Sequence, residues 1–450
     1  MKLSSRGTII LLSLTLTACG STPAPQAAPF VLITPAADAS PTPTPFQPPL
    51  IVQASPTSLY YIEVPTLEPF FPTTTPSPTP TEPPQPTATV DLSSLFPTAA
   101  APPLPDTSGE GPTPLPPLTD NDTVNFLLIG RDQGSVTSFR TDTMIIVILW
   151  PEDGQVSMIS IPRDLWIYIP TVGMQRINTA YEFGNTGYTG GGVALLRDTI
   201  AYNLGIRIDH TAMVAFDGFQ KIVDTLGGVD VPVACPYTDW HLIDPSYNPY
   251  DENNWSLYTV ESGVNHMDGN LALWYARSRL KSSDFDRARR QQEVLRALFT
   301  QLLKTDTLSR IPQLYNDLSG TINTDLGLSD LLKLALYAPK LTSANIRSYY
   351  IRPPYVTSWT TPAGAAVLLP QAPDLTQMLT KATSLSATAV QRQTISVEVQ
   401  NGTTTANWDT LAANRLNYAG FTTTITSADR QDYNNSVLID LTSTQDPTAR

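Results

Sequence analysis

Cysteine and histidine are scarce in this chain, with two and three copies among 450 residues. The histidines His210, His241 and His266 are scattered and lie beside no cysteine cluster, which argues against a zinc site. Positive charge is also in short supply: 27 Lys and Arg face 40 Asp and Glu, for a formal net charge of −13. That balance argues against general nucleic-acid binding, because phosphate backbones are held by Lys and Arg. From Gly20 to Leu118 there is no Lys or Arg at all, while seven acids occur. What the chain has in excess is proline, 42 residues, most of them between Thr22 and Pro117. So many are incompatible with compact helices and sheets there, so the globular part is expected to begin near Thr119.

The N-terminus reads as an address. Lys2 and Arg6 precede an apolar run from Thr8 to Ala18. Crossing a bilayer takes ~20 residues, so this run has the length of a signal-peptide core instead. Leu16-Thr17-Ala18-Cys19 resembles the lipobox of bacterial lipoproteins, which implies cleavage before Cys19 and a lipid on its thiol. In that case Cys235 has no partner, forms no disulfide and reads as a small buried hydrophobe beside Pro236. Runs such as Pro41-Thr42-Pro43-Thr44-Pro45 favour stiff, extended polyproline at ~3.1 Å per residue, a tether of up to roughly 300 Å. A short apolar patch, Leu59 to Ile62 with Phe70-Phe71, interrupts it without an evident role.

Beyond Thr119 the pattern is that of strands and helices. Asn125 to Ile129 is a short apolar run broken by Gly130. Thr143 to Trp150 is a continuous β-branched run suited to a strand buried on both faces, and Val156 to Ile161 follows a turn signal at 151–154. Short connections make neighbouring strands antiparallel. The end of the first, the start of the second and the end of the third then share one sheet edge. Arg131, Asp132, Arg140, Asp142, Arg163 and Asp164 gather there. Gly192 to Leu204 places Val193, Leu196, Ile200 and Leu204 on one stripe, a core-packing helix. The preceding Thr189-Gly190-Gly191-Gly192 reads as a plain helix entry, since no Walker-type lysine follows it.

The segment Ala276 to Arg310 holds nine of the 27 basic residues and only four acids. Ser282-Ser283-Asp284 signals a helix entry with Asp284 as candidate N-cap. Ala288, Leu295, Leu298 and Leu302 are expected to form the inward stripe. Arg287, Arg289 and Arg290 crowd the first two turns, where the macrodipole disfavours cations. An anion shared between guanidinium groups and free backbone N–H groups would account for them. Asp284 and Arg287, three apart, share a helix face, as do Arg287 and Gln291, four apart.

In order along the chain, NFLLIGRD (125–132), RTDTM (140–144), SIPRDLW (160–166), RINTAYEFG (176–184), FDGFQKIVDTLGGVDVPV (216–233), ESGVNHMDGNLALWYARSRL (261–280) and DFDRARRQQEVLRAL (284–298) resemble the LytR-CpsA-Psr family of cell-wall glycopolymer ligases. The tail from Thr394 to Asp440, with VEVQNGT (397–403), resembles that family's small C-terminal domain. The resemblance implies a three-layer α-β-α catalytic domain around a central mixed β-sheet, a lipid-chain pocket and a Mg2+-dependent diphosphate site. By motif position it assigns Asp132 and Asp142 to the metal. Arg140, Arg163, Arg277, Arg279, Arg287 and Gln291 fall at the diphosphate, and Asp284 at an active-site carboxylate. It departs from the common pattern at Arg131 and Asp286, which replace apolar and glycine positions, and in having a lipobox where most members have a transmembrane helix.

The expected organisation is a signal peptide (1–18), a lipid-anchored tether (19–118), a catalytic domain (119–380) and a small α/β domain (393–441). The implied activity is transfer of a glycan phosphate from a polyprenyl-diphosphate carrier to peptidoglycan, outside the cytoplasm, with Asp284, Arg279 and Arg287 as the catalytic group. Phosphoryl transfer needs positioning and charge neutralisation, which arginines and one hard cation supply. The same residues would also serve a lipid-diphosphate hydrolase. A non-catalytic wall-binding lipoprotein is the third reading. Because the tail lacks the charged constellation, turnover is expected to survive its removal.

Overall fold

The computed structural model describes residues 111–120, 122–131, 141–279, 282–386, 391–433, 435–437 and 439. The signal peptide, Cys19, the tether up to residue 110, Asp132 and Arg140 lie outside the described residues.

The chain opens with β1 (Val124–Arg131), β2 (Thr141–Trp150) and β3 (Gln155–Ile161), then a small hairpin of β4 (Trp166–Ile169) and β5 (Gly173–Arg176). Next come α1 (Ala180–Gly184), α2 (Gly191–Leu204), β6 (His210–Ala215), α3 (Phe216–Thr225) and β7 (Val229–Val233). A ribbon of β8 (Tyr237–Leu242) and β9 (Trp255–Val260) precedes β10 (Gly263–Met267), α4 (Gly269–Arg277) and the long α5 (Asp284–Leu302). The remainder is α6 (Thr305–Ser309), α7 (Ile311–Leu318), β11 (Ile322–Thr324), α8 (Leu328–Ala335), β12 (Ile346–Tyr350), β13 (Val356–Thr360), β14 (Ala366–Pro370) and α9 (Ala372–Ala382). Last come β15 (Ser396–Gln400), α10 (Trp408–Tyr418) and β16 (Thr422–Thr426).

The central sheet has the order β11-β6-β1-β2-β3-β12. It is mixed: β1, β2 and β3 run antiparallel in sequence, while β6 lies parallel to β1 and β12 parallel to β3. The strand period of two divides the β2 side chains between two cores. Met144, Ile146, Ile148 and Trp150 join α2 and α9 on one face. Ile145 and Leu149 pack with Leu295 and Phe299 of α5 and Leu334 of α8 on the other. A third cluster links α3, α4, β7, β10 and α5. Truncating a side chain such as Ile146, fully buried, would cost about 2–5 kcal/mol. This is the expected three-layer α-β-α arrangement with a strand buried on both faces.

The Thr189–Gly192 stretch is a helix entry, as expected. Gly190 caps α2 in the left-handed region at φ 88°, and the Gly192 N–H donates to Asn185 Oδ1 at 3.0 Å. Two sequence expectations change. Residues 111–118 lie along α2, with Leu115 N–H donating to the Tyr202 carbonyl at 2.9 Å, so the ordered unit starts before Thr119. Cys235 is half-buried, not buried, and its sulfur is disulfide-bonded. No helix among the described residues is long and apolar enough to cross a membrane.

The tail forms a β-α-β unit in which β15 and β16 pair in parallel. Its helix α10 packs toward β7 and β10.

Candidate functional site

The antiparallel order of β1, β2 and β3 brings the end of β1, the start of β2 and the end of β3 to one edge, as the connections require. At that edge Arg131 pairs with Thr141, and the register shifts between Gly130 and Arg131. A Cβ on Gly130 would stand 3.1 Å from the Thr143 Cβ, so glycine lets the bulged strand pass close to β2. Asp142 is the second residue of β2, and Arg163 lies two residues past β3. Arg163 Nη1 donates to Asp142 Oδ1 at 3.0 Å. Asp164 lies 3.5 Å from the Arg163 Nε and 3.3 Å from the Arg176 Nε. Arg176 in turn donates to the Ala366 carbonyl at 2.7 Å, which ties the β13–β14 hairpin to this edge.

Helix α5 points its N-terminus at the same place. Its cap is Ser283, whose Oγ accepts the Asp286 N–H at 3.2 Å; Asp284 is the first helical residue, not the cap expected from sequence. Released from capping, the Asp284 carboxylate faces Arg287 at 3.1 Å and Arg279 at 3.6 Å. One turn on, Gln291 Nε2 donates to Thr143 Oγ1 at 3.0 Å and joins the helix to β2. Gln292, buried and not singled out from sequence, donates to Ser160 Oγ at 2.8 Å and to the Tyr349 carbonyl at 3.0 Å. These bonds pin α5 across three strands.

A cleft opens between these elements. It is lined by the polar Asp142, Arg163, Asp284, Arg287 and Gln291 and by the apolar Met144, Ile161, Phe285, Ile351 and Leu368. Met144, Ile161 and Ile351 belong to the main apolar core, and Phe285 and Leu368 pack against it.

The electrostatics favour a bound anion. Burial pushes the Arg287 pKa down, and although Asp284 opposes this, the neighbouring Arg163 and Arg279 guanidinium groups add to the fall. Burial works the same way on Arg163, but its contacts with Asp142, Asp164 and Asp284 overcome it and raise its pKa. Arg287, with a side chain only 13% exposed, is thus a desolvated cation among cations.

The other arginines of the first turns do not share this ligand position. Arg289 pairs with Asp286 at 2.7 Å and with Glu293 at 2.7 Å. Arg290 is fully buried; it reaches Asp286 at 3.1 Å and Ser282 Oγ at 3.0 Å and donates to the carbonyls of Tyr275 and Ser278. The surplus of bases at this helix is therefore largely structural. Asp286, where the family pattern has glycine, is the residue that answers two of them. The expected inward stripe also shifts, because Leu302 is exposed while Glu293, Val294, Arg296 and Ala297 are buried. Arg277 ends α4 with its guanidinium 3.5 Å from the Phe216 ring centroid and is not a lining residue of the cleft.

Among the described residues no group of three His, Cys, Asp or Glu converges as a ready-made metal site. The donor set still suits magnesium, which takes one or two carboxylates and completes its shell with phosphate oxygens and water. Asp142 commits Oδ1 to Arg163, and Asp132 lies outside the described residues.

Residues 102–384 match the LytR_cpsA_psr family. A relative from Enterococcus faecalis, polyisoprenyl-teichoic acid–peptidoglycan teichoic acid transferase TagU, is 29% identical over 49% of this chain and 67% of its own. Regulatory protein MsrR of Staphylococcus aureus is 30% identical over 49% of this chain, and the match spans 62% of that relative's length. The crystal structure of Bacillus subtilis TagV aligns with a TM-score of 0.48 at 24% identity, over 60% of this chain and 100% of that one.

Proposed function

The chain belongs to the LytR-CpsA-Psr family, and from that premise we propose that it is a phosphotransferase moving a glycan phosphate from a polyprenyl-diphosphate carrier to peptidoglycan. One observation carries the reading. Arg163 and Arg287 line a cleft at the start of α5 whose apolar lining is continuous with the core, and Arg279 stands beside them across Asp284. A diphosphate answers the guanidinium groups, and the first isoprene units answer the apolar lining.

In this reading Arg140, Arg163, Arg279 and Arg287 orient and neutralise the diphosphate, and Gln291 keeps α5 against β2. An acceptor hydroxyl oxygen forms a bond to the phosphorus next to the glycan. The bond from that phosphorus to the bridging oxygen breaks, and polyprenyl phosphate leaves. The hydroxyl proton passes to Asp284, whose carboxylate caps nothing and faces the cleft. Asp132 and Asp142 would hold Mg2+, which when bound supplies charge neutralisation on the diphosphate oxygens. The protein would act outside the cytoplasm, held by a lipid on Cys19 and spaced from the membrane by the proline-rich tether. Residues 393–441 would be its family-type C-terminal domain.

The test is product analysis with a lipid-diphosphate-linked glycan and Mg2+, with and without peptidoglycan. Glycan linked to peptidoglycan through phosphate is expected. Free glycan phosphate as the sole product, whether or not acceptor is present, would make the protein a hydrolase instead.

A further inference from the structure

Between Lys221 and Arg277 the chain carries eight acids and no Lys or Arg. Within that stretch, β8 and β9 form a ribbon that among the described residues pairs only with itself. One side rests on Trp274 of α4: the rings of Tyr237, His241 and Tyr258 lie 5.9, 5.2 and 5.5 Å from it, centroid to centroid. Beyond this contact the apolar surface turns outward. Ile243, Tyr247, Tyr250 and Leu257 are all exposed, Tyr250 at 78% and Leu257 at 54%. Four large exposed apolar side chains within 15 positions make a patch, in contrast to isolated surface residues.

The patch is held in shape. Asp244 Oδ1 accepts the Ser246 N–H at 2.8 Å, Asn248 Oδ1 the Tyr250 N–H at 3.1 Å and Asp251 Oδ1 the Asn253 N–H at 3.0 Å. Trp255 Nε1 donates to the Pro249 carbonyl at 3.1 Å. The tyrosines are therefore presented on a fixed loop, which lowers the entropy cost of binding.

Charge selects the occupant. The loop exposes Asp244, Asp251 and Glu252 and, with the ribbon, carries no Lys or Arg, a balance that repels anionic lipid headgroups and phosphate-bearing polymers. Aromatic faces are electron-rich and attract the C–H face of a sugar ring, while carboxylates and amides beside them meet its hydroxyls. Trp274 lies on α4, which ends at Arg277, so the ribbon is built onto the helix that leads into Arg279. We propose that the β8–β9 ribbon and its 243–254 loop bind an uncharged glycan strand, so that donor and acceptor are sorted by charge. The assignment of that strand as acceptor rests on the transferase reading above.

The experiment titrates the full chain with a neutral N-acetylglucosamine oligomer, an anionic polyglycerol phosphate and phosphatidylglycerol vesicles, reading binding by NMR and sedimentation. The Tyr247→Ala/Tyr250→Ala/Leu257→Ser variant alters only exposed side chains and is compared by near-UV circular dichroism for fold. The wild-type protein should bind the neutral oligomer, and the variant at least fivefold more weakly, roughly the loss of one strong interface contact. Equal binding by both proteins, no binding by wild type, or preference for polyglycerol phosphate or vesicles would overturn the assignment. Donor turnover without acceptor, measured on both proteins, separates the two readings. Its persistence alongside failed glycan binding removes the surface and leaves the catalytic site.

Discussion

Arg415 and Glu293, 122 residues apart in sequence, meet at 2.9 Å. Glu293 is almost fully buried on α5, where it also accepts from Arg289 at 2.7 and 2.8 Å and from the Tyr275 hydroxyl at 3.3 Å. The β-α-β tail thereby braces the helix that carries Arg287 and Gln291, and Arg296 of that helix lies 4.2 Å from the Tyr418 ring centroid.

Arg415→Ala should therefore lower stability in urea by about 1–3 kcal/mol, because Glu293 keeps Arg289 but loses its second cation in a buried place. Truncation before Thr394 should cost at least as much. The expectation that turnover survives truncation then holds per folded molecule, measured by activity normalised to the folded fraction. Unchanged urea midpoints in both proteins would contradict the bracing role.

Arg279→Ala and Arg287→Ala should each reduce kcat/KM for the lipid diphosphate by roughly a hundredfold or more, the scale seen when one preorganised charge-stabilising donor is removed. Lys at either position should restore only part of it, since the charge returns without the bidentate fork. Steady-state kinetics at saturating Mg2+ decide the matter, and full rescue by Lys would argue against a bidentate contact.

Asp142→Asn should shift the Mg2+ concentration needed for half-maximal activity upward by at least tenfold, the lower end of what altered metal-site partners cost. Asp142 is partly exposed at a strand start, so the melting temperature should move little. A Mg2+ titration of activity checks the first, and isothermal calorimetry of Mg2+ with the donor bound gives an activity-independent reading.

Asp286 governs the acid side of the stability curve. Burial would raise its pKa, but the ion pairs with Arg289 and Arg290 outweigh that and hold it below the ordinary value. Its folded pKa being depressed, its contribution is fully present above the unfolded value of about 3.9 and is lost as pH falls through the folded one. Urea unfolding from pH 5 down to pH 2.5 should show a steeper loss for the wild type than for Asp286→Asn.

Lipidation is checked by mass. The mature N-terminal peptide should begin at Cys19 and carry a diacylglyceryl mass, and Cys19→Ala should leave the precursor unlipidated. An N-terminus elsewhere would remove the anchor from the proposal.

Local periodicity and connection length were sufficient for much of the fold and part of the site. The β-branched run of β2 and the short turn after it specify antiparallel neighbours, and these alone bring Asp142 and Arg163 to one edge. Helix geometry alone places Asp284, Arg287 and Gln291 on one face, since residues three and four apart are neighbours on any α-helix. The cap was misplaced by one residue because Ser283 and Asp284 are both good caps, and the choice depends on where helical backbone angles begin.

Only the tertiary structure decided which arginines face the cleft. Arg287 and Arg290 differ little in local sequence, yet one turns to Asp284 and the other into the carbonyls of Tyr275 and Ser278. What separates them is the partner that arrives from α4, and the sequence of α5 contains no record of it. The same holds for Glu293, a buried carboxylate whose second cation, Arg415, reaches it from a segment 122 residues away. Sequence determines what repeats along one element. Charge that must be neutralised between elements is settled only when packing brings the partners together.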